Sequence, residues 1–224
     1  MASDSRTRFE QFTEPPAEAP TLVEGLPGLG MVASIAVDQL ADQLGLEQYG
    51  AIVSDEMPPA AAFADGRVRD LVRVNAGDEP PVMTLHSDVP VPPSAIDAIS
   101  SCVHTDLASA FDRAIFLAGA PAESEEEIGD IVAVATTEDV ATDLTDAGVA
   151  LAEDEGVVGG VTGGLVADCY HEDVPAAVLI VRSNPYIPDP AAARAVIENA
   201  LEPLVEFDID TAELQEQADQ IQQQ

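Results

Sequence analysis

A glycine-rich stretch near the start of the chain has the spacing of a phosphate-binding turn. Residues 28–33 read Gly-Leu-Gly-Met-Val-Ala, the G-x-G-x-x-A spelling of a dinucleotide-binding loop. In such loops the backbone approaches a pyrophosphate and a helix N-terminus faces the negative charge. Pro27 directly precedes Gly28 and is foreign to that fingerprint. The hypotheses are a dinucleotide site, a site for a small anion or nucleoside-like ligand, and a structural turn, which Pro27 favours.

A second glycine cluster, residues 155–164, also precedes a predicted helix. It reads Glu-Gly-Val-Val-Gly-Gly-Val-Thr-Gly-Gly, and the whole sequence contains no Lys. A P-loop needs that Lys, so this chemistry is excluded. Two hypotheses remain: a tight loop in which backbone packs on backbone, or a pocket formed where both glycine loops meet at the carboxyl ends of the strands.

The remaining chemically capable side chains are two Cys-x-His pairs and one isolated His. Cys102 with His104, and Cys169 with His171, would diverge by roughly 200° on a helix, so neither pair is expected to bind a metal. His86 follows a predicted strand and could line a pocket. Since the chain also lacks a G-x-S-x-G nucleophile elbow, no catalytic, cofactor or metal residue is assigned.

The elements that must position these loops alternate along the chain. Apolar runs predict strands, and segments with helical periodicity follow most of them, which indicates a single α/β domain with a mainly parallel or mixed sheet flanked by helices. We expect a partly disordered polar leader over residues 1–20, the α/β domain over 21–205, and a C-terminal helix and tail over 206–224. That last helix carries a narrow apolar stripe, which would pack on its own domain or on a partner subunit: Leu214, Ala218 and Ile221.

Charge limits the function classes further. The 224 residues include 42 Asp and Glu but only eight basic residues, all of them Arg, for a net charge of −34. Such a surface repels itself in dilute buffer, and molar salt screens the repulsion, which indicates a protein of a salt-saturated cytosol. Nucleic-acid binding and binding to an anionic membrane are not expected, because both require basic clusters. With no signal peptide, no membrane-length apolar run and only two Cys, we expect a cytoplasmic protein.

Two segments together resemble the PAC2 family of archaeal and eukaryotic proteasome-assembly-chaperone proteins. The first, "LVEGLPGLGMVASIAVDQL", is similar to the family's strand, glycine-proline loop and helix. The second, which starts at "GVVGGVTGG" and includes "NPYIPDP", is similar to a later glycine turn, helix, strand and proline-tyrosine motif. The resemblance covers about residues 20–205. The positions that match the family's motifs are Gly25, Pro27, Gly28, Gly30, Gly160, Gly163, Pro185, Tyr186, Asp189 and Pro190.

The resemblance implies a phosphorylase-like α/β fold, a homo-oligomer and a non-catalytic role in assembling proteasome α-subunits. No cofactor is implied. Some of these chaperones end in hydrophobic-Tyr-any, whereas this sequence ends Gln222-Gln223-Gln224. Two alternatives follow: contact through the last helix, or a paralogue with another role. Members are sometimes labelled 3-isopropylmalate dehydratase, but its cluster-bearing subunit needs three Cys ligands and this chain has two.

Two function hypotheses follow. The first is an ATP-independent, homo-oligomeric scaffold from a halophilic archaeon that binds proteasome α-subunits or other proteins. The second is a small-molecule enzyme or ligand-binding protein acting on a nucleoside-like compound, for which Tyr186, His86 and Arg182 are the nearest candidates. It requires a deep pocket near Gly28 and Gly160 with converging polar groups.

Overall fold

The computed structural model describes residues 7–14 and 20–222 of the 224. Ten strands occur in these residues: β1 Thr7–Gln11, β2 Thr21–Gly25, β3 Glu47–Ser54, β4 Ala62–Ala64, β5 Arg67–Arg69, β6 Val72–Asp78, β7 Pro81–Ser87, β8 Arg113–Pro121, β9 Ile131–Ala135 and β10 Ala176–Ser183. The α-helices are α1 Val32–Gln43, α2 Ile96–Cys102, α3 Glu138–Asp146, α4 Gly160–His171, α5 Pro190–Val196, α6 Glu202–Val205 and α7 Ala212–Gln222. π-helical segments extend α2 over Val103–Leu107 and join α5 to α6 over Ile197–Leu201.

Eight strands form one mixed sheet in the order β1-β3-β6-β7-β2-β8-β10-β9, and β4 and β5 form a separate hairpin. The central pairs β7–β2, β2–β8 and β8–β10 are parallel, while the outer pairs on both sides are antiparallel. The predicted α/β fold with a mixed sheet and flanking helices is therefore confirmed. Parallel pairing is confined to the centre, because the chain between β3 and β7 turns back without a crossover helix.

The two faces of the sheet carry separate apolar cores. Helices α1, α3, α5 and α7 cover one face, and α2 and α4 cover the other. The central strands are apolar on both faces, as strands buried between two helical layers must be. Their side chains are mainly Val, Leu, Ile and Ala, in keeping with the low aromatic content of the chain.

Residues 7–11 correct the predicted boundary at residue 21. They form the edge strand β1, which pairs antiparallel with β3 from Thr7 opposite Ser54 to Gln11 opposite Gly50. A ring carbon of Phe9 lies 2.4 Å from where a Cβ on Gly50 would stand, so the strand packs closely over that glycine. The expectation of disorder for residues 1–6 and 15–19 lies outside the described residues.

The apolar stripe of the last helix packs on its own chain. Leu214 and Ala218 are buried against α5, and Ile221 is half-buried beside them. The side-chain amide of Gln39 on α1 donates to the carbonyl of Asp210 at 2.7 Å and fixes the entry to α7. Our alternative expectation, that this stripe is open to a partner subunit, is wrong for Leu214 and Ala218, because α5 already covers them.

No helix in the described ranges is both long and apolar enough to cross a membrane.

The packing of α7 on α5 predicts the effect of truncating Leu214. Leu214→Ala should lower the free energy of unfolding by about 2 to 4 kcal/mol, since it removes buried methyl groups and leaves a cavity. Glu216→Ala, on the exposed side of the same helix, should change it by less than about 0.5 kcal/mol. Chemical denaturation in molar salt measures both. An unchanged stability of Leu214→Ala, accompanied by a lower solution mass, would show that α7 packs on another subunit instead.

Candidate functional site

The three motifs meet at the carboxyl edge of the parallel strands. The first motif, residues 25–31, leaves β2 and enters α1. The second, residues 155–164, opens α4, and the third, residues 184–190, leaves β10 and enters α5. In an open α/β sheet this edge is where the connecting loops gather and where ligands bind. The side chains and backbones of these loops therefore define the candidate site.

The first and third motifs are joined through Gly30. Its φ is +64°, and its carbonyl accepts a hydrogen bond from the backbone N–H of Asp189 at 2.8 Å. A methyl group on Gly30 would lie 2.7 Å from Ser183 Oγ and 3.1 Å from the carbonyl oxygen of Asn184. Glycine is required here both for the backbone conformation and for the close contact with the end of β10.

Asp189 fixes the third motif. One carboxylate oxygen accepts from the backbone N–H of Asn184 at 2.7 Å, and the other accepts from the N–H of Ala192 at 3.0 Å. The second bond caps α5, and Pro190 occupies the first turn of that helix. The loop between Asn184 and Asp189 is thus closed at its base by one buried carboxylate.

Two further close approaches seat the first motif. A methyl group on Gly25 would meet the side chain of Val37 at 2.4 Å, so α1 lies directly against the end of β2. A methyl group on Gly119 of β8 would lie 2.2 Å from the carbonyl oxygen of Leu29. Gly28 has extended backbone and open space around it, and Pro27 beside it is half-buried. The motif is therefore fitted to β8 as well as to β10.

The second glycine cluster is both a tightly packed loop and one wall of a cleft. Gly160 has φ +70°, and a methyl group on Gly163 would lie 2.2 Å from the carbonyl oxygen of Val158, so backbone packs on backbone. The cluster also faces the first motif across a cleft of about 240 Å³. The cleft is lined by backbone, apolar side chains and a single hydroxyl, with no basic side chain: Leu26, Gly28, Leu29, Leu117, Ala118, Gly119, Ala120, Val157, Val158, Gly159, Thr162 and Ile180.

Glu24, which the sequence analysis did not single out, lies beneath this cleft. Its side chain is fully buried, accepts from the backbone N–H of Leu26 at 2.8 Å and lies 3.3 and 3.4 Å from the hydroxyl oxygen of Thr162. Burial raises the pKa of the carboxyl group to about 8, although these hydrogen bonds favour the charged form and lower it. At neutral pH Glu24 is therefore mainly protonated, and it connects the first motif to α4 as a neutral group.

The side chains considered for a small-molecule enzyme do not meet. His86 ends β7, where its ring lies 3.3 Å from Asp38 and 3.6 Å from Asp88, and burial lowers its pKa. Arg182 ends β10 and donates to the carbonyl of Pro121 at 3.0 Å. Those strands are three positions apart in the sheet, or about 14 Å. Tyr186 lies in the loop after β10, with 91% of its surface exposed.

The two cysteines are buried helix residues. Burial raises the pKa of the Cys102 thiol to about 12 and that of Cys169 to about 11. Within residues 7–14 and 20–222, no group of three or more His, Cys, Asp or Glu side chains is arranged to hold a metal ion. These thiols are therefore protonated and belong to the packing of the α2–α4 face.

An exposed apolar surface lies on the first and third motifs, which Gly30 and Asp189 join. Residues 185–188, Pro-Tyr-Ile-Pro, all face solvent, and Met31 of the first motif is exposed as well. The backbone N–H of Tyr186 donates to the side-chain oxygen of Asn184 at 2.9 Å, which shapes the start of the loop. We call Met31 and residues 185–188 the motif crown. Its apolar groups stand on a base held by Asp189 and Gly30.

The joint between the motifs predicts a difference between two glycine substitutions. Gly30→Ala and Gly45→Ala both place alanine at positive φ, but only position 30 also meets neighbouring atoms. Gly45→Ala should cost about 1 kcal/mol of folding free energy, from conformation alone. Gly30→Ala should cost at least about 2 kcal/mol more, since β10 must shift. Denaturation curves of the two variants measure the difference, and equal losses would contradict the tight joint.

The raised pKa of the Glu24 carboxyl group should make the free energy of unfolding depend on pH. Because its folded pKa lies above the unfolded value, its contribution is fully present below pH 4.5 and is lost as pH rises through about 8. Glu24→Gln, which keeps the shape without the charge, should therefore gain stability relative to the parent by about 4 kcal/mol between pH 5 and pH 9.

Urea denaturation at several pH values in molar salt measures this gain. Glu56→Gln, an exposed position, controls for the loss of one surface charge. A stability difference between parent and Glu24→Gln that stays constant from pH 5 to pH 9 would contradict the raised pKa.

Known proteins with similar sequences or folds show which family this arrangement belongs to. The profile of the PAC2 family matches residues 22–224. The chain is 26% identical over 182 residues to the uncharacterized protein MJ0106 of Methanocaldococcus jannaschii, an alignment that covers 81% of this chain and 74% of that protein.

Solved structures with the same fold include two from Pyrococcus furiosus. PbaA, described as an archaeal homolog of proteasome-assembly chaperone, superposes with a TM-score of 0.86 at 22% identity, over 96% of this chain and 89% of its own. PbaB, described as an archaeal proteasome activator, gives a TM-score of 0.86 at 20% identity, over 98% and 97%. Because the family profile spans all three motifs and nearly the whole α/β domain, the chain belongs to the PAC2 family.

Proposed function

We propose that the chain is a scaffold of the proteasome-assembly-chaperone type, which binds proteasome α-subunits without ATP. Family membership supports this role, and the descriptions of PbaA as a chaperone homolog and of PbaB as a proteasome activator point to the same partner. In this role the protein holds one face of an α-subunit, favours correct ring growth and leaves when the ring matures. It works in the cytoplasm as a homo-oligomer.

The observation that carries the proposal is the character of the motif crown. The residues that match the family's motifs build a braced, exposed apolar surface instead of a set of converging polar side chains. Tyr186 is the aromatic residue of this surface and has 91% of its own surface in solvent. An aromatic side chain of this kind is a frequent source of binding energy in protein interfaces, because it buries a large area at low cost in conformational entropy.

The hydrogen bonds that order the loop below the motif crown also support binding. Asp189 closes the loop from Asn184 to Ala192, and Gly30 accepts the N–H of Asp189. A loop that is already ordered loses little entropy when a partner covers it, so more of the contact energy appears as affinity. The surrounding acidic surface adds selectivity for partner faces that carry basic groups.

The small-molecule alternative receives less support. The cleft between the glycine loops offers Thr162 and backbone groups, without a basic side chain to hold a phosphate. His86, Arg182 and Tyr186 each have separate surroundings, so they do not form the converging set that the hypothesis required.

Truncation of the crown tests the proposal. Tyr186→Ala should weaken binding to purified proteasome α-subunits by about 2 kcal/mol, or roughly 30-fold in Kd, because it removes the aromatic anchor. Phe12→Ala, another exposed aromatic far from the crown in sequence, should leave the affinity within about twofold of the parent. Calorimetry in molar salt measures both. If the parent protein does not bind α-subunits, the function itself is wrong; if both variants bind equally well, the crown is not the contact.

A further inference from the structure

The β4–β5 hairpin carries an apolar pair that its own chain leaves open. Phe63 and Val68 are cross-strand partners, and 76% and 78% of their surfaces are exposed. Opposed residues of an antiparallel pair lie on the same face, so the two side chains form one patch. A lone two-stranded hairpin is marginal in water, and further burial would stabilise it.

The hairpin is also unusual in its charge. The stretch from Ala62 to Arg69 contains Arg67, Arg69 and one acid, Asp65, and so carries a net charge of +1 in a chain of −34. Arg69 donates to Asp88 at 2.7 Å, whereas Arg67 makes no ion pair with any residue in the described ranges. The hairpin that carries the apolar patch thus also carries an unpaired guanidinium, on its opposite face.

An apolar groove with acidic residues at its edge lies at the far end of the sheet. It is about 570 Å³ in volume and runs between α4 and the outer strands β9 and β10. Val134, Val157 and Tyr170 expose apolar surface along it, with Val157 97% exposed. Asp154 lines the groove, Glu153 and Glu155 beside it face solvent, and no basic residue lines it. Its walls are apolar and its charged rim is acidic.

The hairpin cannot fill the groove of its own chain. It joins β3 to β6, and β6 is five strand positions from β9, a separation of about 24 Å. Two grooves facing each other would place acid against acid. The hairpin of one copy facing the groove of another instead places the Phe63 patch on apolar walls and brings a hairpin of net positive charge to the acidic rim at Asp154.

We propose that a second copy of this chain occupies the groove, with its β4–β5 hairpin inserted between α4 and β9. The contact uses different surfaces on the two copies, so it is heterologous and builds a closed ring or an open chain. Molar salt screens the charge pairing but leaves the apolar burial in place. The inference rests on the homo-oligomeric part of the proposed function and supplies its seam, leaving the motif crown available for the α-subunit.

Two charged substitutions test the seam. Phe63→Glu alters the hairpin, and Val157→Glu alters the groove, both at exposed positions that should leave the fold intact. Light scattering in molar salt should find the parent as an assembly of several copies. Each variant alone should lose that assembly and approach the 23.3 kDa of one chain. Phe12→Glu, which puts the same charge on another exposed aromatic side chain, should keep the parent mass. Circular dichroism checks the folding of all three.

Mixing the two variants distinguishes a hairpin-to-groove contact from other seams. The Phe63→Glu copy keeps a good groove, and the Val157→Glu copy keeps a good hairpin. An equimolar mixture should therefore form a pair with twice the mass of one chain and grow no further. A monomeric parent, single variants of parental mass, or a mixture of folded variants that stays monomeric would each overturn the proposal.

The outcome is separable from the test of function. Calorimetry of Phe63→Glu and Val157→Glu with α-subunits should still find binding, because the motif crown is unchanged. If Val157→Glu loses the α-subunit while both variants keep the parental mass, the groove holds the α-subunit instead of a second copy, and the proposed seam is wrong. If no variant and no parent binds α-subunits but the mixture pairs, the seam holds and the assigned partner fails.

Discussion

The structure depends on the close approach of one glycine loop to two neighbouring strands. Leu29 lies against the backbone of Gly119 on β8, and Gly30 lies against the last residue of β10. A Cβ at position 30 would lie 2.7 Å from Ser183 Oγ, and one at position 119 would lie 2.2 Å from the carbonyl oxygen of Leu29, so neither close contact could persist. The order of β2, β8 and β10 at the centre of the sheet brings the motif loops together, and the missing Cβ atoms allow them to touch.

Around this contact, polar side chains lie inside the fold and apolar side chains lie on its surface. Two buried carboxyl groups beside this contact are satisfied within the chain: Asp189 caps its own loop and helix, and Glu24 reaches Leu26 and Thr162. The outward-facing residues of the motif crown are apolar, and Tyr186 among them has 91% of its surface exposed. A site for chemistry on a small molecule needs the reverse, with polar groups directed into the cleft. The division therefore favours a surface for another protein.

Sequence patterns predicted the features that local physics controls. The buried strands, the helices that follow most of them and the two glycine-rich loops between them are indicated by neighbouring residues. Edge strand β1 was missed because its side chains are polar and its register is set by β3, about forty residues away. The stripe on α7 was ambiguous because its own residues do not specify which surface covers them. Glu24 was hidden among many acids, although its place inside the apolar run Thr21–Gly25 was a usable signal.

Site-specific photo-crosslinking tests the central claim most directly. A photoreactive phenylalanine analogue placed at position 186 should capture a proteasome α-subunit in molar salt, and mass spectrometry should identify the captured peptide. The same analogue at position 12, also an exposed aromatic position, should capture none. Capture at position 186 is the result that the account predicts. Equal capture at both positions, or capture at position 12 alone, would contradict the claim that the joined motifs present the binding surface.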